Sequence, residues 1–223
     1  MCSRFLPDLP SYRRRLAISY ANETFTALES LLAGGSGRVV VGITGPPGAG
    51  KSTLSRALLD KFDNASYLPM DGFHLSNAVL EQLGRRDRKG AIDTFDAAGY
   101  VSALHRARSD YRIRDVYVPD FDRRLDEPVA AGHVIPADCR LVITEGNYLG
   151  VPQGEWLAVR GLLDRLYYVD CPVAVRRERL ITRHRAGGRA AAAAAAWVDT
   201  VDEPNARLIA TTRQFCDRVV DGC

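Results

Sequence analysis

Eight residues, Gly45-Pro46-Pro47-Gly48-Ala49-Gly50-Lys51-Ser52, constrain the fold of this chain more than any other stretch. They satisfy G-x-x-x-x-G-K-[ST] at every fixed position. A β-branched run, Arg38 to Thr44, precedes them, and a helical pattern carrying Leu54, Leu58 and Leu59 follows. A strand, a glycine-rich loop and a helix in that order form a phosphate-binding loop. Glycines at 45, 48 and 50 let the backbone curl so that N–H groups, including that of Ala49, point inward at phosphate oxygens. The first turn of the helix, with Thr53, adds unpaired N–H groups and a positive dipole end. Lys51 is placed to reach the β- and γ-phosphates, and the Ser52 hydroxyl to ligate Mg²⁺. The chain is expected to bind a nucleoside triphosphate.

The 223 residues suit one domain with a sizeable core and a small appendage. A net charge of +3 gives no ground for nucleic acid or an anionic membrane as partner. Positive charge is carried almost wholly by arginine; Lys51, Lys61 and Lys89 are the lysines. The cysteines (Cys2, Cys139, Cys171, Cys216, Cys223) are odd in number and lack C-x-x-C spacing, so neither a zinc site nor a disulfide framework is expected. With no apolar run of spanning length and no apolar signal core, the expectation is a soluble cytoplasmic protein.

Along the chain, the spacing predicts a helix from about Ser11 to Ala33, striped by Leu16, Tyr20, Phe25, Leu28, Leu31 and Leu32 and stopped by Gly34–Gly37. Extended segments are expected at 38–44, 66–70, 112–118, 133–135, 140–144, 166–169 and 217–220. Helices are expected after the phosphate loop, at 75–83, 95–107, 156–163 and 173–184, and from the alanine run Ala190–Ala196, with an interruption near Asp202-Glu203-Pro204. Pro119 to Arg124 reads as a break. Strands alternating with helices indicate a parallel α/β sandwich.

No N-K-x-D element accompanies the loop, and the remaining charges fit phosphoryl transfer to a small acceptor. Asp71 follows the second strand, beside the ligand crevice of an open α/β sheet. There it serves either as the base for an incoming hydroxyl or as a cap on the next helix. Glu145 ends the strand Leu141–Thr144. It either holds Mg²⁺ through water or orients the acceptor, unless it is a plain strand-end carboxylate. Arg176, Arg179 and Arg183 fall on one helical face. With Arg189 they close over a triphosphate, or else they form a solvated surface.

Taken together, Gly45–Ser52, Met70-Asp71-Gly72-Phe73-His74, Arg88-Lys89-Gly90 with Thr94-Phe95-Asp96, Glu145-Gly146-Asn147-Tyr148, and Arg179…Arg183…Gly188-Arg189 resemble the P-loop kinase family of uridine kinase, type I pantothenate kinase and phosphoribulokinase. Pro119-Asp120-Phe121-Asp122-Arg123 and Leu149 extend the likeness toward its bacterial uridine-kinase-like members, often labelled fructose-transport kinases. The resemblance implies a three-layer α/β sandwich with a five-stranded parallel sheet of order 2-3-1-4-5. It also implies a helical arginine lid at about 176–190 and Mg-ATP as donor. It assigns Asp71 as the acceptor-side base; from the residues themselves Lys51 and Arg183 are expected to assist catalysis, Arg179 and Arg189 to meet the nucleotide, and Ser52 and Glu145 to hold the metal. Lys89, Asp122, Arg123 and Tyr148 are expected around the acceptor. Residues 1–36 are expected as a helical extension packed on a kinase domain at 37–223. Several members of the family form dimers, so a homodimer is among the expectations. Where uridine kinases carry a ribose-binding Asp, this chain has Gly90, and Val116-Tyr117-Val118-Pro119 lacks the histidine of pantothenate kinases. A P-loop switch or chaperone ATPase without a small acceptor is the alternative.

Overall fold

The computed structural model describes residues 23–223. The first half of the expected N-terminal helix, with Leu16 and Tyr20, lies outside them, as does Cys2. Residues 23–33 are helical (α1), and Leu28 is buried in the core.

Seven strands follow: β1 Val39–Thr44, β2 Ala65–Pro69, β3 Val116–Asp122, β4 Glu127–Ile135, β5 Leu141–Glu145, β6 Arg165–Asp170 and β7 Arg218–Asp221. Five form one sheet in the order β2-β5-β1-β6-β7, and every pairing in it is parallel. Numbered among themselves, these five strands run 2-3-1-4-5. Parallel neighbours need crossovers, which are helical here. The longer ones are α2 Lys51–Lys61, α4 Ala97–Ser109, α6 Val173–Ala186 and α8 Glu203–Ala210, with shorter α3 Asn77–Gln82, α5 Leu157–Gly161 and α7 Ala191–Trp197.

Side chains alternate across the central strand and divide the core in two. Val39, Val41 and Ile43 pack with Leu54, Leu58 and Leu28 on one face. Val40 packs with Tyr100, Leu104, Val159 and Trp156 on the other. Helices thus cover both faces, as a buried parallel sheet requires.

Three expectations are corrected. Pro119 does not end β3. The strand runs through it to Asp122 with a register shift between Val118 and Asp120, and β4 is far longer than 133–135. The resulting antiparallel hairpin stands outside the main sheet. Its pairing is anchored at Asp122, whose Oδ1 accepts from the backbone N–H groups of Arg124 and Leu125. Secondly, the chain is not interrupted at Pro204. A wide π turn, Val198–Asp202, joins α7 to α8, and Pro204 sits in the first turn of α8, where no N–H is needed. Thirdly, Cys171 and Cys223 form a disulfide. They are 52 residues apart, so spacing gave no sign of it. The pairing of Asp170 with Asp221 at the ends of β6 and β7 brings them together. No helix among the described residues is long and apolar enough to cross a membrane.

Candidate active site

The sheet register lines up the functional groups. Glu145 on β5 sits opposite Ile43 of β1, just before the phosphate loop, and opposite Pro69 of β2, just before Asp71. The carboxyl ends of three adjacent strands therefore deliver Lys51 and Ser52, Glu145, and Asp71 to one crevice. That crevice is a cleft of about 1020 Å³ whose lining includes all four.

Gly50 takes a left-handed φ of 104° as the N-cap of α2, and Gly48 takes 78°. An L side chain rarely adopts either, which explains the glycine requirement at these two positions. Gly45 and Ala49 form the inner turn; Gly48, Gly50, Lys51, Ser52 and Thr53 line the cleft. The buried Lys51 Nζ donates to the carbonyls of Gly45 (2.9 Å) and Pro46 (3.2 Å). Burial lowers its pKa to about 8, against the attraction of Glu145 and Asp71 and with the help of Arg183 and Arg176.

The Ser52 hydroxyl donates to Glu145 Oε1 at 3.0 Å, and the Tyr67 hydroxyl to Oε2 at 2.8 Å. Both carboxylate oxygens are thereby oriented. Burial, then the charge of Glu145, raises the Tyr67 pKa, which keeps the phenol a donor. A hydroxyl and carboxylates are hard oxygen ligands that suit Mg²⁺ shared with phosphates. No group of three or more His, Cys, Asp or Glu suited to a metal occurs among the described residues.

Asp71 lies in a 3₁₀ turn, Met70–Phe73, and does not cap the next helix; Ser76 does, accepting from Val79 N. Among the described residues the Asp71 carboxylate has one side-chain partner, Arg123 Nη2 at 3.5 Å. Its turn is pressed against the hairpin. A Cβ on Gly72 would stand 2.3 Å from the Pro119 carbonyl.

The arginines of α6 divide their work. Arg176 is buried, 3.3 Å from Glu203, and points at the Pro47 carbonyl at 3.4 Å, so it braces the loop and is not part of a lid. Arg179 Nη1 spans the Gly48 carbonyl (3.2 Å) and the Gly222 carbonyl (3.0 Å). Arg183 opens onto the cleft, yet desolvation by its walls, then the positive charge of Arg123, lowers its pKa. Arg189 lies 3.8 Å from the Trp197 ring centroid and donates to His184 Nδ1 at 3.0 Å. A guanidinium only donates, so Nδ1 is unprotonated and His184 Nε2 donates to Asp202 at 2.7 Å.

The residues expected around the acceptor are used differently. Arg123 reaches the cleft. Lys89 does too, but its Nζ is held by Asn77 Oδ1 (2.7 Å), by the Asp126 carbonyl and by the Asp126 carboxylate (3.2 Å). It ties the hairpin tip to the core. Asp122 caps the hairpin turn, and the fully buried Tyr148 donates to the Gly90 carbonyl at 2.6 Å; neither lines the cleft. Burial and then nearby carboxylates raise the Tyr148 pKa.

His74, Phe121, Asn205 and Trp197 also line the cleft. His74 stood within the Met70–His74 motif without a role. Its Nδ1 is 2.7 Å from the Asp71 carbonyl, which can only accept. The proton is therefore on Nδ1, and burial lowers the pKa further toward the neutral ring. Nothing in the sequence around Asn205 or Trp197 marked them.

No family model matches the chain. Among curated proteins it is 36% identical over 184 residues to "Uncharacterized protein YggC" of Escherichia coli, spanning 79% of this chain and 75% of that one. It is 36% identical over 165 residues to "Putative uridine kinase C227.14" of Schizosaccharomyces pombe, spanning 68% of each. The crystal structure of a "putative fructose transport system kinase" from Silicibacter sp. TM1040 superposes with a TM-score of 0.81 at 35% identity, over 90% of this chain and 98% of that one. With identities of this size over most of both chains, and with the phosphate loop, Asp71 and Glu145 in one crevice, the chain belongs to the P-loop kinases of the uridine kinase, type I pantothenate kinase and phosphoribulokinase family.

Proposed function

We propose that the protein is an ATP- and Mg²⁺-dependent kinase that transfers the γ-phosphoryl group to a hydroxyl of a small metabolite, of nucleoside, pantothenate-like or sugar-like type. The observation that carries this reading is that Asp71 lines the same cleft as the phosphate loop, with its carboxylate partly exposed and 3.5 Å from Arg123.

In this reading Gly45, Gly48, Ala49, Gly50 and Thr53 form the phosphate cradle; the N–H groups of Ala49 and Thr53, which donate to the Pro46 and Gly50 carbonyls in this structure, would have to turn to the phosphates, and Arg179 and Arg189 flank the nucleotide. Lys51 leaves the loop carbonyls for the β- and γ-phosphates, whose negative charge favours its ammonium form. Ser52 and Glu145 would hold Mg²⁺, which would neutralise phosphate charge. Asp71 accepts the hydroxyl proton, and Arg183 faces the charge that develops on the transferring group. Support comes from the oxygen donor set, from the partly exposed position of Asp71, and from relatives named as kinases.

The test is an ADP-release screen with Mg-ATP against nucleosides, sugars, vitamins and hydroxy acids. Acceptor-dependent ADP release is the expected result. Release that no acceptor raises above background removes the reading.

A further inference from the structure

The cations of the acceptor half are unevenly paired. Lys89 is held by Asn77 and Asp126, and Arg86 pairs with Asp126 at 3.3 Å. Arg124 closes on Asp122 at 3.2 Å, and Arg189 is taken up by Trp197 and His184. Two guanidiniums are left. Arg183 makes no hydrogen bond or ion pair among the described residues. Arg123, at the hairpin tip with a 65% exposed side chain, meets only Asp71 among the described residues, at the limit of hydrogen-bond range. Both line the same cleft, where burial and then the charge of Arg123 lower the pKa of Arg183. Asp71 can neutralise only one of them, and a base must be free to take a proton. The γ-phosphoryl group answers Arg183 on the donor side. Arg123 on the hairpin needs an anion of its own.

The aromatic lining offers little to a flat, neutral acceptor. The His74 ring lies 4.0 Å from that of Phe95 and 4.7 Å from that of Phe121, centroid to centroid. Lys89 stands over Phe121, and Arg189 covers Trp197. These faces are already engaged by one another or by a cation, which leaves little aromatic surface for an acceptor ring to stack on.

We propose that the acceptor is a hydroxylated anion, a small molecule that carries a carboxylate or phosphate beside its hydroxyl, and that Arg123 grips the anionic group. This rests on the kinase reading above. When the acceptor binds, Arg123 turns from Asp71 to the anion, freeing the base beside the hydroxyl. The hydroxyl oxygen forms the new bond to γ-phosphorus, the bond from γ-phosphorus to the bridging oxygen breaks, its electron pair leaves with ADP, and the hydroxyl proton passes to Asp71.

The experiment compares matched acceptors with Mg-ATP: glycerol against glycerate and glycerol phosphate, fructose against fructose 6-phosphate and gluconate, and uridine alone. The anionic members should exceed the neutral ones in kcat/KM by about 10- to 100-fold, the weight of a charge-assisted hydrogen bond. The carboxylate and phosphate arms tell the two anions apart. Arg123→Gln should raise KM for the preferred anion about tenfold or more while ATP affinity stays the same, and Arg123→Lys should restore part of it. Equal or better turnover of neutral acceptors, or an unchanged KM in Arg123→Gln, overturns this inference and leaves the kinase standing. Turnover of none of them by the unsubstituted protein overturns both.

Discussion

Replacing Lys51 by methionine, a chain of similar length without charge, isolates the energetic consequence of burying an ammonium under the phosphate loop. Lys51 is 8% exposed, and desolvation lowers its pKa from 10.5 to about 8. The folded protein therefore loses this proton before the unfolded chain does. Between those two values the unfolded state binds more protons, so stability rises with pH. At 1.36 kcal/mol for each pH unit, the whole window is worth about 3 kcal/mol, of which about 1 kcal/mol falls between pH 7 and pH 9. For a chain of this size that is about 2–4 °C in Tm. Other groups titrate alike in both proteins, so the Tm of the unsubstituted protein minus that of Lys51→Met should grow by this amount from pH 7 to pH 9, read by scanning calorimetry. Bound Mg-ATP supplies phosphates that hold the ammonium, so saturating nucleotide should move the titration upward and flatten the rise in the unsubstituted protein. A Tm difference that is flat over this range, or that shrinks, refutes the account of Lys51.

Other perturbations probe the frame around the site. Gly72→Ala places a Cβ against the Pro119 carbonyl and should cost about 1–3 kcal/mol in urea unfolding while loosening the hairpin; unchanged stability would deny that contact. Arg176→Ala leaves the half-buried Glu203 without its cation and should cost about 3–5 kcal/mol, so a loss near zero would mean the pair does not form. Tyr148→Phe removes the bond to the Gly90 carbonyl, but that carbonyl keeps Asn205 Nδ2 at 3.3 Å. Stability should fall by about 1 kcal/mol with little change in acceptor KM; a large rise in KM would put the Tyr148 hydroxyl in the acceptor site.

The donor half was legible because its information is local. A strand, a loop with glycines at fixed spacing, and a helix carry the phosphate cradle within about fifteen residues, and the backbone needs no distant partner to form it. Asp71 and Glu145 were legible for a related reason. Each ends a strand, and the crevice of an open parallel sheet lies at strand ends. The acceptor half is built by contacts across the chain and was harder to read. Lys89 looked like a free ammonium, but Asp126, on a hairpin whose length the sequence hid behind Pro119, takes it up. Asp122 looked available, but an aspartate two residues ahead of a turn hydrogen-bonds the turn's own backbone. Arg176 lay on the same helical stripe as Arg179 and Arg183, and periodicity does not tell which member of a stripe meets a carboxylate on another helix. The Cys171–Cys223 bond depends on the register of β6 and β7, which no spacing encodes.

The central claim is that Asp71 takes the proton of an acceptor hydroxyl while the loop holds the donor. The most direct test is product formation by Asp71→Asn, followed by mass spectrometry with Mg-ATP and whichever acceptor the screen identifies, beside a separate measurement of ATP affinity. The account predicts a phosphorylated acceptor from the unsubstituted protein, a fall of about two to four powers of ten in kcat for the variant, and nearly unchanged ATP affinity. Equal rates of product formation by the two proteins would contradict it.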